Sequence, residues 1–260
     1  MTLLRLFGVL LLPAVFTLGC AHSPPLTGPA LKTAEQAWQA FLSRECSRCI
    51  DSDLSLQWRL FTNRGALPGM LQLRDPDHAR LTITDPLGRP QWILAAAGRT
   101  FRAVLVSEGR GWQGEETWPG RRRYLPPEVD GGALFAWLSG GLHDTGMQLE
   151  RIAADSGGEG VWYEFAEREG LIHRVLLDGG RPVMRRHLLM SAEGHRIFEA
   201  RYLRYRQVGD CLWPFEIRME ADTGPGELIL RYQRVIPVDR FPEDAFRLEF
   251  PPGFRVEILR

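Results

Sequence analysis

Apolar and polar residues alternate along most of this chain. Leu56, Trp58 and Leu60 alternate with Gln57 and Arg59, the period of two that puts successive side chains on opposite faces of a strand. The pattern returns at Leu71 and Leu73, at Leu81 and Ile83, over Trp92 to Ala97, and at Phe101, Ala103 and Leu105. Later it reappears at Val161, Tyr163 and Phe165, at Leu171, His173, Val175 and Leu177, over Pro182 to Met190, and at Phe198, Ala200 and Tyr202. The cleanest case sets Phe215, Ile217 and Met219 against Glu216, Arg218 and Glu220, one face apolar and the other wholly charged; Leu228, Leu230 and Tyr232 repeat it. Turn residues punctuate these runs at Leu67-Pro68-Gly69, Asp75-Pro76-Asp77, Asp85 to Gly88, and Gly98. Short strands separated by close turns predict a mainly β chain with a meandering antiparallel sheet.

Two segments depart from this period. Thr33 to about Glu45 reads as a helix, with Thr33 as N-cap, Gln36 three residues on, and Ala34, Ala37, Trp38, Phe41 and Leu42 on one stripe. Asp130 to Leu138 reads as a brief helix ending at Gly140-Gly141, with Leu134, Phe135, Trp137 and Leu138 as its apolar face. A helix inserted into a β-meander must lie over the sheet or its mouth. Before it, Trp118 to Asp130 reads as a loop carrying Arg121, Arg122 and Arg123. That loop is either a solvated basic segment or a surface for an acidic partner or anionic headgroups.

One turn stands apart. In Asp85-Pro86-Leu87-Gly88, Asp85 can cap the turn, Pro86 presets φ and Gly88 accepts positive φ. Leu87 is then a large apolar residue at the tip of a turn that should face water. Held out by Pro86 and Gly88, it is a candidate for touching something apolar outside the protein.

The first 19 residues read as a targeting segment, with Arg5 as the basic region, Leu6 to Phe16 as the apolar run, and Gly19-Cys20 at its end. The run is too short for a membrane span. A Cys after a small residue at this place resembles a bacterial lipoprotein signal, in which Cys20 is lipidated and becomes the mature N-terminus; Ala21 follows it, so the outer membrane facing the periplasm is the expected address. Residues 20–30 then form a flexible tether and 31–260 a single β domain. Of the remaining cysteines, Cys46, Cys49 and Cys211, an oxidising compartment favours one disulfide and one leftover thiol, its pairing open. Cys46-Ser47-Arg48-Cys49 has redox-motif spacing but no surrounding βαβ pattern.

Charge and chemistry exclude more than they suggest. The 260 residues carry 32 basic and 32 acidic side chains, so there is no broad field for nucleic acid. No nucleophile elbow, phosphate-binding loop or metal-ligand spacing is present. His78 beside Asp75 and Asp77 reads as part of a turn, and His143-Asp144 as a turn pair. Neither a cofactor nor an enzymatic activity is expected. What stands out is apolar mass, with eight Trp and thirteen Phe, which either fills a core or leaves a cavity for a ligand.

Asn63-Arg64-Gly65-Ala66, the run Arg80 to Gly88, and Leu134-Phe135-Ala136-Trp137-Leu138-Ser139-Gly140 resemble, in order and spacing, the LolB-type outer-membrane lipoprotein receptors of the LolA/LolB-like family. The likeness covers about Arg59 to Gly141 and is pattern-level beyond. It implies an open, half-closed antiparallel β-barrel with a helical lid over an apolar cavity. It also implies a monomer that takes acylated lipoproteins from a LolA-like periplasmic carrier and inserts them into the outer membrane. Pro86, Leu87 and Gly88 match the family's membrane-inserting loop. Leu134, Phe135, Trp137, Leu138, Phe215, Ile217 and Met219 are the lid and cavity candidates. A structural or assembly lipoprotein, or a binder of another lipid on the same fold, is the alternative.

Overall fold

The computed structural model describes residues 24–44, 46–60, 63–115, 131–142, 146–167, 170–222 and 226–259. Helix α1 (Gly28–Leu42) leads into six strands: β1 (Cys49–Leu60), β2 (Arg64–Arg74), β3 (His78–Thr84), β4 (Pro90–Ala97), β5 (Thr100–Leu105) and β6 (Arg110–Glu115). Helix α2 (Gly131–Ser139) precedes β7 (Gln148–Ala154), β8 (Gly160–Ala166), β9 (Ile172–Asp178), β10 (Met184–Met190) and β11 (Arg196–Leu203). A small hairpin of β12 (Arg206–Val208) and β13 (Cys211–Trp213) comes before β14 (Glu216–Ala221), β15 (Gly226–Pro237) and β16 (Arg255–Leu259).

All but the small hairpin join one 14-stranded sheet, ordered β16-β6-β5-β4-β3-β2-β1-β15-β14-β11-β10-β9-β8-β7. Two meanders are joined where β15 pairs antiparallel with β1, and only β16, parallel to β6, departs from the antiparallel pattern. The outermost strands, β16 and β7, do not pair with each other, so the curved sheet stays open. Both helices pack on its inner face, as the inserted apolar helix requires. Ala34, Trp38 and Phe41 from α1 and Trp137 and Leu138 from α2 enter the same core as Leu54, Leu71, Tyr163, Phe198, Ile217 and Tyr232.

Three local expectations need correction. Thr33 does not cap α1: the helix starts at Gly28 with Pro29 in its first turn, and Thr33 Oγ1 donates to the Pro29 carbonyl at 3.1 Å. Proline suits that place because its missing N–H has no intrahelical partner there. Leu42, placed on the buried stripe, is 51% exposed. Leu67-Pro68-Gly69 is not a turn but the middle of β2, where Pro68 pairs with Ser55 of β1. Pro68 lies one residue beyond the last β2–β3 pair, Gly69 with Ile83, where no neighbouring strand needs its missing N–H.

The outer face is charged as the alternation predicts, yet parts of it are buried. Glu199 is 1% exposed and accepts hydrogen bonds from Arg186 at 2.9 Å, Arg196 at 2.7 Å and Arg201 at 2.6 Å. Glu216, 3% exposed, is held by Arg218 at 2.6 Å and Arg231 at 3.1 Å. Long arginine side chains lie over the carboxylates and replace their water. Near β4 and β5 the outer face is apolar instead, and Leu248, Phe250 and Phe254 of the C-terminal segment cover Ala95 and Val104.

Candidate functional site

The turn singled out in the sequence is held by a set of local hydrogen bonds centred on Asp85. Its backbone closes through Gly88 N–H donating to the Asp85 carbonyl at 2.9 Å, with Gly88 at φ +80°. The Asp85 carboxylate accepts the N–H groups of Leu87 and Arg89 at 2.9 and 3.0 Å, and the Arg89 guanidinium at 2.7 Å. The Arg89 N–H, the Arg89 guanidinium and the Leu87 N–H hold the Asp85 carboxyl below the usual carboxylate range. The Leu87, Gly88 and Arg89 N–H groups are thus all satisfied by Asp85, and the Leu87 side chain is left 78% exposed.

Strand register places this loop on the rim shared by the end of β1, the start of β15 and the end of β14. From that rim an apolar strip runs inward along the concave face. Leu56, Trp58, Leu67, Trp92 and Leu105 are only half-buried, and Leu228 is 37% exposed. Trp58 lies flat across Gly65, in space that a side chain at Gly65 would occupy. Alternation puts Trp58, Leu105 and Leu228 on the apolar faces of their strands, but does not show that the core leaves them, or Trp92, uncovered.

Beside that strip the interior is packed. Phe215 and Ile217 are buried in the main core, with Met219 half-buried against it. From α2, Trp137 and Leu138 are buried and Phe135 is half-buried, 6.3 Å edge-on to Trp213. Leu134 stands in α2, its side chain outside the described residues. Cys20, Arg121 to Arg123 and His143-Asp144 also lie outside them. Leu87 and the α2 residues are not brought together into one site: Leu87 is 78% exposed on its turn, whereas Trp137 and Leu138 are buried in the main core. Between α2 and the end of α1, a groove of about 560 Å³ is lined by Phe41, Leu42, Arg44, Phe135 and Leu142 among others. It is braced by Arg44, whose Nη2 donates to the Gly140 carbonyl at 3.2 Å. Cys46, at the edge of this groove, and Cys211 form a disulfide with Cα atoms 5.2 Å apart, and Cys49 is a buried free thiol.

A polar feature went unread in the sequence. His173 and His187, on neighbouring strands of the concave face, touch through His173 Nδ1 and His187 Nε2 at 2.9 Å. His173 Nε2 reaches the Glu167 carboxylate at 3.2 Å, and the Trp137 ring stacks on His187 at 4.0 Å. Burial, reinforced by the neighbouring His173, pushes the His187 pKa well below the ordinary imidazole value. Burial also lowers His173, against the opposing pull of Glu167. Nothing in this arrangement resembles a nucleophile with its base. No group of three or more metal-ligating side chains occurs among the described residues.

Comparison with solved structures identifies this architecture. A LolA superfamily protein from Nitrosomonas europaea superposes with a TM-score of 0.57 at 15% identity, covering 83% of this chain and 97% of that one. The two chains share a fold. A DUF1329 family protein from Desulfovibrio piger gives 0.60 at 9% identity, with 83% and 96% covered. A domain named for outer membrane lipoprotein sorting from Vibrio parahaemolyticus gives 0.57 at 12% identity, with 84% and 95% covered. No protein-family model and no curated protein matches the chain in sequence. At these identities the likeness is one of LolA-type fold, an open sheet with helices on its inner face.

Proposed function

We propose that this chain is an outer-membrane lipoprotein, anchored through Cys20 and facing the periplasm. In this reading it receives the acyl chains of lipoproteins from a LolA-like carrier and delivers them to the membrane, as LolB-type receptors do. The observation that carries the reading is the continuity of the half-covered apolar strip, Trp58 to Leu228, with the rim that presents Leu87. Each methylene removed from water gains about 0.8 kcal/mol, so one long acyl chain gains on the order of 10 kcal/mol. Transfer must then pass from one apolar surface to the next without crossing bulk water. A single Leu contributes only about 1.5–3 kcal/mol on burial. That is too little to anchor a domain, but enough to choose which rim of an already anchored domain meets the bilayer. The chemistry is binding and release, with no covalent step and no cofactor.

The test is transfer of a lipoprotein from a loaded carrier, through a soluble Cys20→Ser form, onto liposomes. The expected result is that the protein takes cargo, and that Leu87→Glu still takes it but fails to deliver it. Failure of the unaltered protein to take cargo from a cognate carrier would remove the receptor reading. The packed interior beneath α2 favours a second reading, a structural envelope lipoprotein on the same fold, which that failure would leave standing.

A further inference from the structure

Three side chains beneath α2 carry buried polar atoms with no hydrogen-bond partner among the described residues: His187 Nδ1, Tyr202 Oη and Trp213 Nε1. The residues are 2%, 1% and 1% exposed. Such atoms are rare in folded proteins and costly to keep dry, so each calls for an explanation. The three residues lie along one helix or the glycine that ends it. Trp137 of α2 stacks on His187, Phe135 meets Trp213 edge-on, and a side chain at Gly140, just past the helix, would stand 3.4 Å from Tyr202 Cδ1.

The network also sets the polarity of these atoms. The Glu167 carboxylate accepts the His173 Nε2–H, which leaves His173 Nδ1 as an acceptor. His187 Nε2–H must then donate to it, leaving His187 Nδ1 as a bare lone pair. Trp213 Nε1–H can only donate, and Tyr202 Oη–H donates readily. The wall beneath α2 therefore offers one acceptor and two donors on an otherwise apolar surface.

We propose that this wall is a ligand subsite in which Trp213 and Tyr202 hold the carbonyl, and His187 the N–H, of an amide that joins an acyl chain to its carrier group. It deepens the acyl-binding reading given above and rests on it. Trp137 and Phe135 fill the space when the site is empty, and α2 swings away to admit the ligand. The bonds that tie α2 down, Tyr232 Oη donating to the Leu138 carbonyl at 3.1 Å and Arg44 to that of Gly140, both lie at its C-terminal end. Gly140, at φ +69°, supplies the hinge.

The test uses two dansylated peptides bearing the same C16 chain, one joined at the N-terminus through an amide and one through an alkyl ether. Their affinities for the full-length protein are measured by fluorescence. The expected result is a preference for the amide probe. Tyr202→Phe, which removes a single oxygen, lowers that preference about 3–10-fold, the size of one net hydrogen bond. His187→Leu does the same if it folds. Equal binding of both probes, or a preference that Tyr202→Phe leaves intact, overturns the subsite while acyl binding stands. Binding of neither probe overturns both.

Discussion

The Asp85 carboxylate takes the Leu87 N–H at 2.9 Å, so the most exposed large apolar residue among those described is positioned by a bond of its own backbone. The same carboxylate holds Arg89 at both its N–H and its guanidinium. Asp85→Ala removes all three bonds while leaving the flanking strands β3 and β4 paired. The Leu87 and Arg89 amides are expected to exchange with solvent at least about tenfold faster, with little change in overall melting, because exposed loop bonds open locally. Amide exchange by NMR checks this. Unchanged rates at both amides would show that Asp85 does not set the loop.

Gly69 is needed for close approach rather than for a turn. A Cβ there would stand 2.8 Å from the Thr82 carbonyl oxygen and 2.8 Å from Ile83 Cδ1. The carbonyl is backbone and cannot step aside without spreading β2 from β3. Gly69→Ala is therefore expected to cost about 1–3 kcal/mol, the usual range for overpacking. Ala66→Val, at an exposed position of the same strand, is expected to change stability little. Urea denaturation of the two variants makes the comparison.

Much of the fold was legible because a strand with one buried face writes itself as alternation. Thirteen Phe and eight Trp gave that pattern contrast, and the turn at Asp85 to Gly88 was fully readable from local chemistry. What was not legible is non-local. Nothing near Leu56 says that it will sit opposite Leu230, the pairing that joins the two meanders. Pro68 and Gly69 read as a turn because their neighbours in space, not in sequence, make them tolerable in a strand. His173 was placed on its correct face, but its partner His187 lies 14 residues away on another strand. The candidate site divides in the same way: Leu87 was found from its turn, whereas the uncovered strip around Trp58 and the polar wall beneath α2 depend on which inward residues the helices cover.

The Cys46–Cys211 disulfide spans 165 residues and ties the segment after α1 to the β12–β13 hairpin. Closing so long a loop restricts the unfolded chain, and removing such a bond typically costs about 2–5 kcal/mol. The double variant Cys46→Ser, Cys211→Ser is expected to lose stability in that range and to bring forward exchange of amides near Trp213. Cys49 is expected to stay unreactive toward a thiol reagent in the native protein, because its side chain is buried. Rapid labelling of Cys49 under native conditions would contradict the placement of β1.

The buried histidines make stability depend on pH with a definite sign. Burial holds both His187 and His173 below the ordinary imidazole value of 6.5, so between that value and their native pKa values the unfolded chain binds more protons than the folded one. Stability then rises with pH, and it falls as the pH drops below about 6.5 because unfolding lets the rings charge. Glu167 opposes this for His173 alone, since its carboxylate favours the charged ring. Carboxylates held low by arginines, Glu199 and Glu216, begin to contribute only near and below the ordinary carboxylate value of 4.5, so the window from 6.5 down to about 5 isolates the histidines. The expected result is a loss of stability across that window in the unaltered protein and a shallower loss in His187→Leu. The variant also removes the ring stacked on Trp137, so its absolute stability at pH 8 is the baseline and only the slope is compared. Equal slopes would mean that His187 is not the group that resists charging.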